Sequence, residues 1–181
     1  MTGIRIIAGQ LKGRRLETPD WPGLRPTSDK LRETVFNVLA TRIAGARVLD
    51  GYAGTGAVGI EALSRGASHV TFVEHDPRAI RLIESNLRRC GISDRYAIIR
   101  ARLTDALAKL DARLEVVFLD PPYGASELLE ALRSAEKMMS PETLLVVEHA
   151  KRDAAPLQEG TLVRTRELVS GDSALAFYQI R

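Results

Sequence analysis

Val48-Leu49-Asp50-Gly51-Tyr52-Ala53-Gly54-Thr55-Gly56-Ala57-Val58-Gly59 is the stretch that decides the fold of this chain. A short apolar strand ends on a carboxylate, passes through a glycine loop and enters a helix. Gly54 and Gly56 allow a tight turn and a close approach of backbone to ligand. Gly54 and Gly59 have the spacing of a Walker A loop, but Ile60-Glu61 follows where that loop needs Lys and Ser or Thr. The same glycines also satisfy G-x-G-x-x-G, which in dinucleotide folds seats a pyrophosphate on the helix N-terminus. Two carboxylates weigh against a phosphate. Asp50 stands before the loop, where it attracts a cation. Glu74 ends the next strand, about twenty residues on, where it can accept both hydroxyls of a ribose. A ligand with an ammonium group, a ribose and no phosphate suits both, and S-adenosylmethionine has these features.

Outward from this loop the chain alternates strand and helix. Strands are expected at His69–Glu74, Tyr96–Arg100, Glu115–Leu119 and Leu144–Glu148. Helices are expected at Ala57–Arg65, Pro77–Cys90, Thr104–Leu110 and Ser126–Met139, the second with proline at its first position. Thr161–Val169 and Ala174–Ile180 read as a hairpin around Ser170-Gly171-Asp172-Ser173. Such alternation followed by a hairpin predicts an α/β, Rossmann-like fold, its sheet mostly parallel with an antiparallel edge.

Asp120-Pro121-Pro122-Tyr123 follows the apolar run Val116-Val117-Phe118-Leu119. An acceptor, two prolines and an aromatic at a strand end make a rigid, flat-sided slot for a planar group bearing NH2. Asp120 and the Pro121 carbonyl would accept from the two N–H groups, and Tyr123 would stack on the base. The prolines fix these acceptors and remove competing donors. A base in such a slot has left its stack.

The N-terminal segment differs in character. Arg5-Ile6-Ile7-Ala8 and Arg14-Arg15-Leu16-Glu17-Thr18 read as two short strands about a turn at Gly9–Gly13, forming a basic hairpin. Pro19, Pro22, Gly23 and Pro26 make a loop, and Thr27-Ser28-Asp29 caps a helix reaching about Ile43. Residues 1–32 hold seven basic and three acidic residues, so the whole net charge of +3 arises there. Arg5, Lys12, Arg14, Arg15, Arg25, Thr27 and Arg32 are the candidate contacts to a polyanion, RNA by the resemblance given below, and would hold phosphates with little sequence reading. The boundaries follow: an extension over 1–26 and a catalytic domain over 27–181.

The composition of 181 residues, 45% hydrophobic, supports a full core. One cysteine, Cys90, excludes an intramolecular disulfide and a cysteine-cluster metal site. His69, His75 and His149 are scattered, so no metal is expected. There is no apolar run long enough for a membrane span, and the start of the chain has no signal core, so a reducing, cytoplasmic setting is expected.

Taken together, these motifs resemble class I S-adenosylmethionine-dependent methyltransferases. More narrowly, the chain resembles the RsmD-type 16S rRNA guanine-N2 methyltransferases of bacteria. The resemblance rests on Arg5–Gly9 with Lys12–Leu16, on Leu24–Asp29 with Arg32–Asn37, on the glycine loop through Ala67, on Phe72–Glu74 and on Asp120–Tyr123. It implies a seven-stranded sheet with a C-terminal antiparallel hairpin and a small N-terminal β-extension that touches RNA. It implies that Asp50, Tyr52, Ala53, Gly54, Thr55 and Gly56 hold the methionine part of S-adenosylmethionine and that Glu74 binds its ribose. His75 and Asp76 would lie near the adenine. Arg102 stands where such enzymes often carry an acid, so backbone groups around Ala101 and Arg102 would read the adenine. The implied partner is 16S rRNA, within a 30S subunit or assembly intermediate, met by a monomer. The Asp-Pro-Pro-Tyr motif is shared with DNA adenine-N6 methyltransferases, so a DNA or RNA adenine-N6 methyltransferase stays open as an alternative, as does a dinucleotide-binding oxidoreductase.

Overall fold

A computed structural model describes residues 3–24, 27–110 and 113–181. Arg25, one of the candidate RNA contacts, lies outside the described residues. The described chain builds one eight-stranded sheet flanked by helices, in the order β3-β2-β1-β4-β5-β8-β7-β6. The elements in chain order are α1 (Asp29–Val38), β1 (Arg47–Gly51), α2 (Ala57–Ser64), β2 (His69–Glu74), α3 (Pro77–Arg89), β3 (Tyr96–Arg100), α4 (Leu103–Ala106), β4 (Val116–Leu119), α5 (Ala125–Glu136), β5 (Leu144–Ala150), β6 (Gln158–Glu159), β7 (Leu162–Ser170) and β8 (Ser173–Ile180). β1 to β5 pair in parallel, and β8 returns antiparallel against β5. The expected parallel sheet and terminal hairpin are present. The expected count of seven is corrected to eight by β6, a two-residue strand paired with β7 that is too short for periodicity to reveal.

β1, β2, β4 and β5 are apolar on both faces because helices cover both sides. Val48, Phe118 and Val146 face one core layer with α1 and α2, while Leu49, Val117 and Leu145 face the other with α5. Asp76 caps α3 by accepting from Arg78 N–H, with Pro77 at the first helical position. Cys90 ends α3 as a buried packing residue. α1 stops short of the expected Ile43: beyond Leu39 the backbone tightens to i→i+3 bonds, Arg42 to Leu39 and Ala46 to Ile43, which still deliver Ile43 to the core.

The N-terminal hairpin is reduced to one antiparallel bridge, Arg5 to Arg15, reinforced by Ile6 N–H to Arg14 O and Leu16 N–H to Ile4 O. It is sewn onto α2. The Glu61 carboxylate accepts from Ile7 and Ala8 N–H at 2.8 and 3.0 Å, and Ser64 Oγ donates to Ala8 O and accepts from Leu11 N–H. Ile4, Ile6 and Leu16 pack into the same core layer as α1 and α2.

Candidate functional site

The strand order reverses between β1 and β4, and open α/β sheets bind ligands at such a switch, outside the carboxyl ends of the strands. Here β1 ends in Asp50 and Gly51 and β4 leads into Asp120. Between them opens a cleft of about 320 Å³, mouth included, walled by the glycine loop from Tyr52 to Thr55, Asp50, Asp120, Phe118 and, from above, Leu24 and Thr27.

The loop is held by two carboxylates. Asp50 Oδ2 accepts from Gly59 N–H at 2.8 Å, and Glu74 Oε2 accepts from Gly54 N–H at 3.0 Å. Gly59 is required because a Cβ there would stand 2.3 Å from the Phe72 ring, so α2 can lie this close to β2 only without a side chain. Gly51 is explained similarly: its missing Cβ leaves the space that Leu119 fills. Tyr52 adopts a left-handed φ of 60°, a conformation that costs a non-glycine residue about 1–2 kcal/mol and clusters at functional sites. Its phenol is pushed up to about 12, first by burial and then by Glu130.

The Asp50 carboxyl is pushed up to about 8, first by burial, against the pull of Gly59 N–H, with Glu74 adding to the rise. A buried carboxyl held this high is complementary to a cation, which would restore its charge. The residues therefore fit the ammonium of S-adenosylmethionine.

The remaining expected ligands fall into two groups. Asp50, Tyr52, Ala53, Gly54 and Thr55 line the cleft, and Gly56 caps α2 beneath it. Glu74 is buried at the end of β2, and besides Gly54 its carboxylate accepts from His75 and Asp76 N–H. It shapes the loop through three backbone donors. His75 is exposed with Nδ1 at 3.4 Å from Glu74. Asp76 is engaged by Arg78, whose hydrogen bonds hold its carboxyl down at about 2. Ala101 N–H donates to Glu74 O, which ties the loop after β3 to the end of β2, and Arg102 is exposed.

The slot lies across the cleft. Pro121 is buried and Pro122 exposed. Tyr123 is 48% exposed, with its hydroxyl 3.5 Å from Ser173 Oγ on β8. An aromatic ring this open beside a cleft is free to stack. The Asp120 carboxyl is held well above the usual carboxylate range by burial, then by the charges of Glu148 and Asp50. Glu148, within β5, was missed by the sequence reading. A single acid closing the apolar run Leu144–Val147 was the available signal.

On the surface, Arg5, Lys12, Arg14 and Arg15 are exposed, and Arg14 also donates to Arg89 O. Thr27 lines the cleft rather than the outer surface. Arg32 is corrected. It is fully buried, donating to Arg5 O and pairing with Asp29 and Glu61, so it ties the N-terminal segment to α1 and α2 and does not reach a phosphate.

A family model described as Conserved hypothetical protein 95 matches residues 4–179. The ribosomal RNA small subunit methyltransferase D of Escherichia coli is 38% identical over 178 residues, 97% of this chain and 89% of that protein. The enzyme of the same name from Haemophilus influenzae is 35% identical over 181 residues, 97% of this chain and 93% of its own. Among solved structures, "Putative methyltransferase yhhF from Escherichia coli" is 36% identical and superposes with a TM-score of 0.86, covering 99% of this chain and 98% of that one.

Proposed function

The chain belongs to the Conserved hypothetical protein 95 family, the family of the ribosomal RNA small subunit methyltransferases D, and from that membership we propose that it methylates the exocyclic N2 of a guanine in 16S rRNA. The observation that carries this reading is the placing of Asp120 and Tyr123 beside the cleft: a half-buried acceptor that lines it, followed three residues on by an open aromatic ring.

S-adenosylmethionine, when bound, supplies an electrophilic methyl group. Asp50 would face its ammonium, the loop from Ala53 to Gly56 its methionine part, and Glu74 its ribose. His75, Asp76 and the backbone around Ala101 and Arg102 would meet the adenine.

The chain's own work is orientation. The N2 lone pair of guanine is delocalised into the ring. Hydrogen bonds from its two N–H groups to the Asp120 carboxylate and the Pro121 carbonyl favour a tetrahedral nitrogen and aim the lone pair. Tyr123 stacks on the flipped base, an interaction worth about 1–3 kcal/mol. Holding the nitrogen in place is a proximity effect that supplies up to ~7–11 kcal/mol in favourable cases. The proton leaves after transfer. Arg5, Lys12, Arg14 and Arg15 hold phosphates near the slot, with the segment 1–26 acting as the RNA-contacting extension of the domain over 27–181. The substrate is 16S rRNA within a 30S subunit or assembly intermediate, engaged by a single copy of the chain.

The test uses purified protein, labelled S-adenosylmethionine and 30S subunits from cells lacking this gene, with duplex DNA as the competing acceptor. Nucleoside mass spectrometry is expected to find N2-methylguanosine in the 16S rRNA. Label in adenine, or in DNA alone, would sink the reading, as would thermal stabilisation by NADH in place of S-adenosylmethionine.

A further inference from the structure

Glu148 is not among the residues that line the cleft. It follows the apolar run Leu144–Val147 within β5, is 5% exposed, and its Oε2 has no hydrogen-bond partner. A buried carboxylate oxygen without a donor is costly and is retained where something else supplies the donor.

Its position says what that is. β4 and β5 pair in parallel with Leu119 opposite Val147, so Asp120, just past the end of β4, and Glu148, within β5, follow side by side. Both share the sheet face of Phe118 and Val146, which is also that of Asp50. The hydroxyls of Thr27 and Ser173 lie against Glu148. Thr27 lines the cleft, and Ser173 is the residue that the Tyr123 hydroxyl approaches. Glu148 is thus enclosed by Asp120, Thr27 and the partner of Tyr123, the three boundaries of the base slot. Among the described residues no basic side chain pairs with either carboxylate, and no group of His, Cys, Asp and Glu there is arranged to hold a metal.

Guanine presents N1–H beside its N2 amino group, two adjacent donors on one edge. Adenine presents an unprotonated N1 beside its N6 amino group, an acceptor beside a donor. An acceptor that meets only the amino group cannot tell these edges apart, whereas a second acceptor aimed at N1 can. We propose that Glu148 Oε2 accepts the N1–H of the target guanine while Asp120 accepts from its amino group, so that Glu148 is the residue that selects guanine over adenine. The adenine edge would set a lone pair against a buried carboxylate, and sites built to hydrogen-bond a group strongly reject analogues that lack it. This inference rests on the function proposed above.

The test compares the wild type with Glu148→Gln on 30S subunits lacking the modification. A second acceptor is the same subunit reconstituted with 2-aminopurine at the position mapped by mass spectrometry. 2-Aminopurine keeps the amino group and loses N1–H. The wild type is expected to methylate guanine and to discriminate against 2-aminopurine by at least ~10-fold. Glu148→Gln is expected to lose about 10- to 100-fold in kcat/KM for the guanine acceptor and to narrow that discrimination, because its amide can donate to N1. Its KM for S-adenosylmethionine should stay within about 2-fold of the wild type, and its melting temperature should hold or rise, since a buried like charge is gone. A purely structural Glu148 would instead lower the melting temperature. A kcat/KM within about 3-fold of the wild type, or unchanged discrimination, overturns the inference. So does wild-type methylation of 2-aminopurine at the guanine rate, which needs no variant. A wild type that leaves guanine unmethylated overturns the proposed function and this inference with it.

Discussion

Arg32 of α1 and Glu61 of α2, both fully buried, face each other with Nη1 and Oε2 3.8 Å apart. Glu61 also accepts from Ile7 and Ala8 N–H and from Arg65, while Arg32 donates to Arg5 O. The two side chains join the N-terminal segment to the body of the fold.

Removing one partner leaves the other charge buried. Glu61→Ala should cost about 3–5 kcal/mol, the usual penalty for breaking a buried pair from one side. Arg32→Ala should act in the same way, lowering stability rather than the salt dependence of RNA binding. Urea unfolding monitored by circular dichroism checks both. A cost under about 1 kcal/mol would show the pair to be dispensable.

Asp120→Ala should leave S-adenosylmethionine binding near that of the wild type and reduce methylation to below about one-hundredth, since misplacing a reacting atom costs on the order of 10²-fold. Isothermal titration and a labelled-methyl assay separate the two effects. A variant that kept most of its activity would remove Asp120 from the mechanism.

Asp50 sets a pH dependence. With its carboxyl at about 8 in the free protein, Asp50 is mostly protonated at pH 6 to 7 and must ionise to face an ammonium. Affinity for S-adenosylmethionine should therefore rise with pH over this range, by at most ~10-fold per unit, and flatten near pH 8, where α-amino groups themselves titrate at roughly 7.7–8.0. The stability sign follows as well. A carboxyl raised on folding contributes most below its unfolded value of 3.8 and loses that contribution as pH rises through about 8. Asp50→Asn should abolish the affinity slope and melt higher than the wild type at pH 8. Titrations at several pH values test this, and an unchanged slope in the variant would exclude Asp50 as its source.

Lys12, Arg14 and Arg15 stand exposed on the hairpin turn and its return. Each lost phosphate contact should reduce the slope of log affinity against log salt by about 0.7–0.9. A triple alanine variant should bind 30S subunits more weakly at every salt, with a slope lower by about 2, and keep its cofactor affinity. Filter binding across a salt series measures it.

Much of the fold was legible from local pattern. The strands of the alternating region are continuous apolar runs, their helices carry caps and closing glycines, and the glycine loop marks the first crossover. β6 was not, because two residues have no period. The end of α1 was misplaced because Ile43 remains apolar after the backbone has left the helix. At the site, Asp50, Asp120 and the loop were found because each adjoins a strand end with a readable motif. Glu148 was overlooked because its meaning lies in its neighbours Asp120, Thr27 and Ser173, which are distant in the chain. Arg32 was misread for the same reason: a basic residue in a basic segment looks solvated until Glu61 is seen opposite it.

By itself the sequence determined the alternation of strands and helices, the terminal hairpin, the glycine loop, the Asp-Pro-Pro-Tyr motif and the basic character of the first thirty-two residues. These are encoded by residues adjacent in the chain, where turn chemistry and hydrophobic period act. Only the tertiary structure decided which charges face water and which are buried. It turned Arg32 inward, raised Asp50 and Asp120 chiefly by burial, and set Glu148 of β5 beside Asp120, just past the end of the parallel β4. Burial and register join residues that the chain keeps far apart, and the energy of a carboxylate depends on those surroundings far more than on its sequence neighbours.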